Sequence, residues 1–191
     1  MLPATFPDAT TSSEAEMFRL IRDAPGSDEF VCFHSLGIAR HRRKDYAEAD
    51  FVVLAPAGLF CIEVKGGEVH RHDGLWQIGW PGKSYVSAEG PFKQAQGARW
   101  ALIDYLSERL GRNMRRHAMV GWGVAFPDIQ FDRRDPEWDL EVVFDQRDKS
   151  RSFVAYIERL ARYFQSRVAE TGRAVAPILK PSDRAEIVEA L

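Results

Sequence analysis

Asp50, Glu63 and Lys65 are the residues of this chain whose types and spacing could do chemistry. Glu63 and Lys65 stand two apart in Gly58-Leu59-Phe60-Cys61-Ile62-Glu63-Val64-Lys65, and Asp50 opens the apolar run Asp50-Phe51-Val52-Val53-Leu54 just before it. Two carboxylates and an ammonium on one strand face are what metal-assisted phosphodiester cleavage needs. The acids suit a hard cation, and the cation and the ammonium together offset charge on a reacting phosphate.

The elements that must position these groups are two strands and a turn. Both runs are rich in β-formers, and Ala55-Pro56-Ala57-Gly58 between them has proline second and glycine fourth, as a β-turn prefers. A hairpin closed by residues 55 and 58 sets Leu54 opposite Leu59, Val52 opposite Cys61 and Asp50 opposite Glu63. Facing residues have Cβ atoms roughly 4.5 to 5.5 Å apart, so the carboxylates would confront each other. Alternation puts Lys65 on the face of Glu63 and Cys61, with Phe51, Val53, Phe60, Ile62 and Val64 on the other. Because both faces are largely apolar, the hairpin reads as central and covered on both sides.

A Glu-x-Lys pair is ordinarily a surface ladder. Here the charges end a sheet flanked by apolar side chains, where unpaired ions are costly. Facing carboxylates raise each other's pKa unless a cation sits between them, and a hard divalent ion, most simply Mg²⁺, relieves that cost.

The remaining chain reads as an ordered α/β series. Residues 1–12 form a flexible arm, and an amphipathic helix covers about 13–23, capped by Ser12 or Ser13 with Glu16 near its third position. A strand at 30–36 leads through the basic run Arg40-His41-Arg42-Arg43-Lys44 into the hairpin. A small hairpin turns at His72-Asp73-Gly74, a polar loop holds Pro81-Gly82, and a helix covers about 91–110. Further strands are expected at 118–126 and 140–144, and a helix at about 152–171. The last segment, 173–191, is a linker-like run and a short helix that either docks on the core or leads to a further domain.

Taken together, several pieces resemble one family: Ser13-Glu14-Ala15-Glu16, Glu48-Ala49-Asp50-Phe51-Val52-Val53-Leu54, Gly58 to Gly67 around Glu63-Val64-Lys65, Gly74-Leu75-Trp76, Pro91-Phe92-Lys93-Gln94-Ala95 and Val124-Ala125-Phe126-Pro127-Asp128. Their order and spacing are similar to the nuclease-related domain (NERD) family of the PD-(D/E)xK nuclease superfamily, over residues 13 to about 165. The resemblance implies an α/β fold with a restriction-endonuclease-like core, a mixed central β-sheet flanked by helices, within a domain at 13–172. It also implies that Asp50, Glu63 and the backbone carbonyl of Val64 hold Mg²⁺ or Mn²⁺, and that Lys65 orients or deprotonates the attacking water. Ala49 stands where the superfamily name has proline, which is not a ligand.

Two helical residues are candidates to complete the site. Gln94 has Ala98, Ala101 and Leu102 on its stripe, so it faces the sheet, and by resemblance it positions a phosphate or the water; otherwise it bonds loop backbone. Glu16 has Leu20 at i+4 and could help a second ion, or simply cap its helix; Glu14 ranks below it, because Met17 and Phe18 lie on its side. Arg40, Arg42, Arg43, Lys44 and Lys93 are candidate nucleic-acid contacts, with Arg112, Arg115, Arg116 and His117 a weaker basic turn. His70 and His72 lack a third ligand at suitable spacing. Trp76, Trp80 and Trp100 could stack on bases, though packing is the ordinary use.

Composition narrows the classes further. With 191 residues, 45% of them hydrophobic, the chain can bury one core. It shows no long apolar run, signal peptide or lipidation motif, which points to a cytoplasmic domain. Its only cysteines, Cys32 and Cys61, both sit in strand-like runs and read as core thiols. A formal charge of −2 means that nucleic-acid affinity must come from local patches or a neighbouring region. The expected function is a metal-dependent DNA nuclease in DNA processing or repair. The alternative is a weakly catalytic module that binds nucleic acid or a partner. By resemblance either could belong to a longer chain with a helicase region.

Overall fold

In the computed structural model, residues 1–2, 11–41, 44–111, 118–172 and 178–191 are described, and for 39–41 and 44–46 only the backbone. The basic run from Arg40 to Lys44 and the residues Arg112, Arg115, Arg116 and His117 therefore lie outside the described side chains. So do residues 3–10 of the arm and 173–177 of the linker-like run.

The predicted hairpin forms in the predicted register. Strands β1 (Val31–His41), β2 (Lys44–Ala55) and β3 (Gly58–Val64) run antiparallel. Ala55 pairs with Gly58, Leu54 with Leu59 and Val52 with Cys61. Every residue of β3 is buried, as a strand needs when it is sandwiched on both faces. On its far side β3 pairs in parallel with β7 (Val120–Phe126), and β7 with the short β8 (Val143–Asp145), giving the mixed order β1-β2-β3-β7-β8. The fold is thus α/β, a mixed central sheet flanked by helices.

Alternation along β2 and β3 splits the core in two. Phe51, Val53, Phe60 and Ile62 face Phe18 and Ile21 of α1 (Ser12–Arg22) and Tyr156, Ile157 and Leu160 of α3 (Phe153–Glu170). Val52, Leu54, Leu59 and Cys61 face Ala98, Ala101 and Leu102 of α2 (Pro91–Arg109). Each fully buried Phe or Ile stabilises the fold by about 1.5–3 kcal/mol relative to exposure. Close approach of α3 requires Gly123 on β7, since a Cβ there would lie 2.0 Å from the Tyr156 hydroxyl. The closing helix α4 (Pro181–Ala190) docks on the second core through Ile187, and Leu179 N–H donates to the Pro56 carbonyl at the hairpin turn.

Four local expectations change. Helix α1 is capped by Thr11, one residue before the expected serines, because its hydroxyl accepts the Glu14 N–H while Ser13 turns inward. Residues 140–144 begin as a 3-10 turn, Leu140–Val142, before β8. Of the N-terminal arm, Leu2 is bridged to Phe33 beside β1. The largest difference is a second sheet: after β4 (Glu68–His72) and β5 (Leu75–Trp80), the expected polar loop is a third strand, β6 (Lys83–Ser87). Its residues are mostly exposed and polar, so no apolar alternation announces it.

Arg71 ties this second sheet to the segment after β7. Its guanidinium bonds Asp135 and Glu137 at 2.8 and 2.6 Å and lies over the rings of Trp76 and Trp138. Trp76 packs with Phe92, itself stacked on Trp138 with ring centroids 4.5 Å apart. No described helix is long and apolar enough to cross a membrane.

Candidate active site

The β2–β3 ladder ends at Phe51 opposite Ile62, so Asp50 and Glu63 are the first residues beyond the paired region. Beyond it the Asp50 carboxylate accepts the Val64 N–H at 2.7 Å. The Lys65 N–H donates to the Ala125 carbonyl of β7, which carries the parallel ladder one residue past β3 and fixes the lysine's backbone. Its Nζ donates to Glu63 Oε1 at 2.5 Å. Asp50, the Val64 peptide, Glu63 and Lys65 therefore meet at one end of the sheet.

Electrostatically this end is under strain. Glu63 is only 6% exposed. Burial pushes the Asp50 carboxyl up to about 8, the Glu63 charge adds to the rise, and Lys65 and the Val64 N–H offset only part of it. Burial also raises Glu63, again only partly offset by Lys65. For Lys65 burial acts downward, but the charges of Glu63 and Asp50 outweigh it and the ammonium holds its proton more tightly. An acidic pair in this condition gains from any further positive charge.

Gln94 sits one turn into α2, half-buried on the same stripe as the buried Ala98, Ala101 and Leu102. Its Oε1 is completely buried and has no hydrogen-bond partner. Buried amide oxygens ordinarily accept a hydrogen bond, so Gln94 Oε1 retains acceptor capacity on the sheet-facing side of α2.

Glu16 does not join the cluster. Its carboxylate pairs with Lys149 at 2.7 Å. The reason is the cap: with Thr11 capping α1, the third helical position belongs to Glu14, whose carboxylate accepts from the Thr11 hydroxyl at 2.8 Å and lies 3.6 Å from His34 Nε2. Glu14 is the helical carboxylate whose charge raises both Asp50 and Glu63. Its neighbours Met17 and Phe18, fully buried, were the available signal, since they place Glu14 on the inward side. Glu48, two residues before Asp50, also raises Glu63.

A residue without an expected role anchors the frame. Asp128 accepts from the Ser13 hydroxyl at 2.7 Å and from the Gly67 N–H at 2.8 Å, tying the start of α1 to the turn after Lys65. Its partners are 115 and 61 residues away, which hides the link from local pattern. Of the other candidates, Lys93 is exposed on α2. His70 bonds Glu68 and accepts from Arg133, while His72 pairs with Asp73. Cys32 and Cys61 are buried thiols pushed up to about 12 by burial, as inert core residues are.

Among the described residues no three His, Cys, Asp or Glu side chains gather as a ready metal cage. What the site offers is an oxygen-only donor set, the Asp50 and Glu63 carboxylates, with Glu14 adding negative charge. That set fits a hard divalent cation, which takes oxygen ligands and keeps part of its water.

A family model described as a nuclease-related domain matches residues 11–122, from the cap of α1 into β7. Comparison with curated proteins and with solved structures returns no match.

Proposed function

Because the chain belongs to the nuclease-related domain family, we propose that it hydrolyses phosphodiester bonds in DNA at the Asp50, Glu63 and Lys65 site, using Mg²⁺ or Mn²⁺. The observation that carries this reading is the buried, under-compensated carboxylate pair with an ammonium 2.5 Å from one of its members. A purely structural acidic pair would be expected to have its partners already in place.

Asp50, Glu63 and the Val64 carbonyl would hold the ion. When bound, such an ion polarises the scissile phosphate and acidifies a water molecule. The Lys65 ammonium donates hydrogen bonds to the attacking water and to phosphate oxygens, offsetting the negative charge that grows in the transition state. Glu63 keeps that ammonium in place, and the Val64 N–H fixes the Asp50 carboxylate. The Gln94 amide orients the water or the phosphate, and Glu14 adds to the field that favours a cation. A role in DNA processing or repair, within a longer chain carrying a helicase region, accords with this chemistry.

The test is one panel of wild type and Lys65→Ala on labelled single- and double-stranded DNA and RNA, with Mg²⁺, Mn²⁺ or EDTA. DNA cleavage should require the metal and fall about 100-fold or more in the variant, the usual cost of losing one transition-state donor. Cleavage that persists in EDTA, or is unchanged in Lys65→Ala, would overturn the assignment. A second reading, a module that binds nucleic acid or a partner and cleaves poorly, draws on the lack of a three-ligand cage among the described residues; binding without cleavage in every arm of the panel would favour it.

A further inference from the structure

The second sheet puts one of its faces next to Lys65. Val69 and Ile78, paired across β4 and β5, and Trp76 are buried in the main core on that face. The same register continues outward, with Ile78 opposite Tyr85 and Trp80 opposite Lys83, so alternation carries Tyr85, Trp80 and Lys83 onto the core-facing side. Yet Trp80 and Tyr85 are 49% and 48% exposed, so their rings project past the edge of the core.

Gly67 shows where that edge lies. It follows Lys65 by two residues, a chain reach of roughly 7 Å. A Cβ on it would come within 2.5 Å of the Gly79 carbonyl carbon and 2.9 Å of the Trp80 nitrogen, so the end of β5 passes directly against the turn after the lysine. The opposite face exposes the aliphatic Leu75 and Val86 and the imidazoles of His70 and His72, which are already engaged by Glu68, Arg133 and Asp73.

We infer that Trp80, Tyr85 and Lys83 form a subsite for unpaired nucleotides beside the acidic site, so that the chain engages single-stranded DNA or single-stranded ends. Two solvent-facing rings accept base faces, and these are accessible only where bases are not already stacked in a duplex. Lys83 supplies the charge that a phosphate backbone requires and that a chain of net charge −2 must concentrate locally. As a statement about substrate this rests on the nuclease reading; as a statement about binding it does not.

The test is fluorescence-anisotropy titration of a labelled oligothymidylate, and of a blunt duplex of equal length, in EDTA. Wild type should prefer the single strand. The double variant Trp80→Ala, Tyr85→Ala should lose about tenfold or more in that affinity, since each stacked base contributes roughly 5- to 150-fold. Trp80→Phe, which keeps a ring, should recover most of the loss, and Trp100→Ala, an exposed tryptophan on α2, should bind as wild type does. Equal binding by wild type and double variant, a wild-type preference for duplex, or no oligothymidylate binding at all overturns the subsite. If binding follows the prediction but wild type with Mn²⁺ cuts nothing, the subsite stands and the nuclease reading falls.

Discussion

Asp145 and Asp148, at the end of β8, and Asp50 and Glu63, at the end of the β2–β3 hairpin, are carboxylate pairs set into the same interior. The first pair is fully provided for. Asp145 accepts from the N–H groups of Phe131 and Arg147 and from the Arg147 guanidinium, while Arg159 reaches Asp148 with both terminal nitrogens, at 3.1 and 2.8 Å. Burial acts upward on Asp145, but those hydrogen bonds outweigh it and hold its carboxyl below the usual range. The second pair has one lysine and one backbone N–H, and its carboxyls are pushed up. The contrast teaches that burial alone does not mark a functional acid. We propose that burial with too few cations does, the deficit being met by a proton or by a cation taken from solution.

Removing a cation from the satisfied pair should produce the largest effect on stability. Arg159→Ala leaves Asp148 only the longer contacts to Arg151 and the Asp145 N–H and withdraws the donor to the Val143 carbonyl, and should destabilise the fold by about 2–4 kcal/mol, as breaking buried pairs does. Denaturant melts would show it as a lower midpoint; a change under about 0.5 kcal/mol, typical of surface pairs, would dissolve the contrast.

Smaller effects of opposite pH sign should separate the pairs. Asp50, raised in the fold, contributes stability below its unfolded pKa of about 4, and loses it as pH climbs through about 8. In EDTA, Asp50→Asn should therefore gain in Tm on wild type as pH rises from about 4 towards about 8. Asp145, lowered in the fold, contributes above its unfolded pKa and loses that as pH falls, so Asp145→Asn should cost most at neutral pH and least in acid. Thermal melts across pH check both; parallel pH trends for the two variants would contradict the distinction.

How much of this could be read from the chain depends on the range of each interaction. The hairpin register was legible because Ala55-Pro56-Ala57-Gly58 defines a two-residue turn between long apolar runs, and the inward position of Gln94 followed from its helical stripe. Strand β6 was not legible, since Lys83-Ser84-Tyr85-Val86-Ser87 is exposed on both faces and is recruited only by pairing with β5. The preference for Glu16 over Glu14 rested on a cap at Ser13; the cap is Thr11, two residues earlier, and Glu16 pairs with Lys149 while Glu14 lies on the side of the buried Met17 and Phe18. Asp128 joins segments far apart in sequence, and only the tertiary fold brings Ser13 and Gly67 to it.

The central claim is that Asp50 and Glu63 lack a cation which the chain takes from solution. Titration of Mn²⁺ into wild type, Asp50→Asn and Glu63→Gln, followed by calorimetry or by the loss of the free-ion electron paramagnetic resonance signal, tests it most directly. The account predicts saturable binding by wild type that is lost or weakened at least tenfold in either variant. Binding that is absent in wild type, or equal in all three proteins, would contradict it.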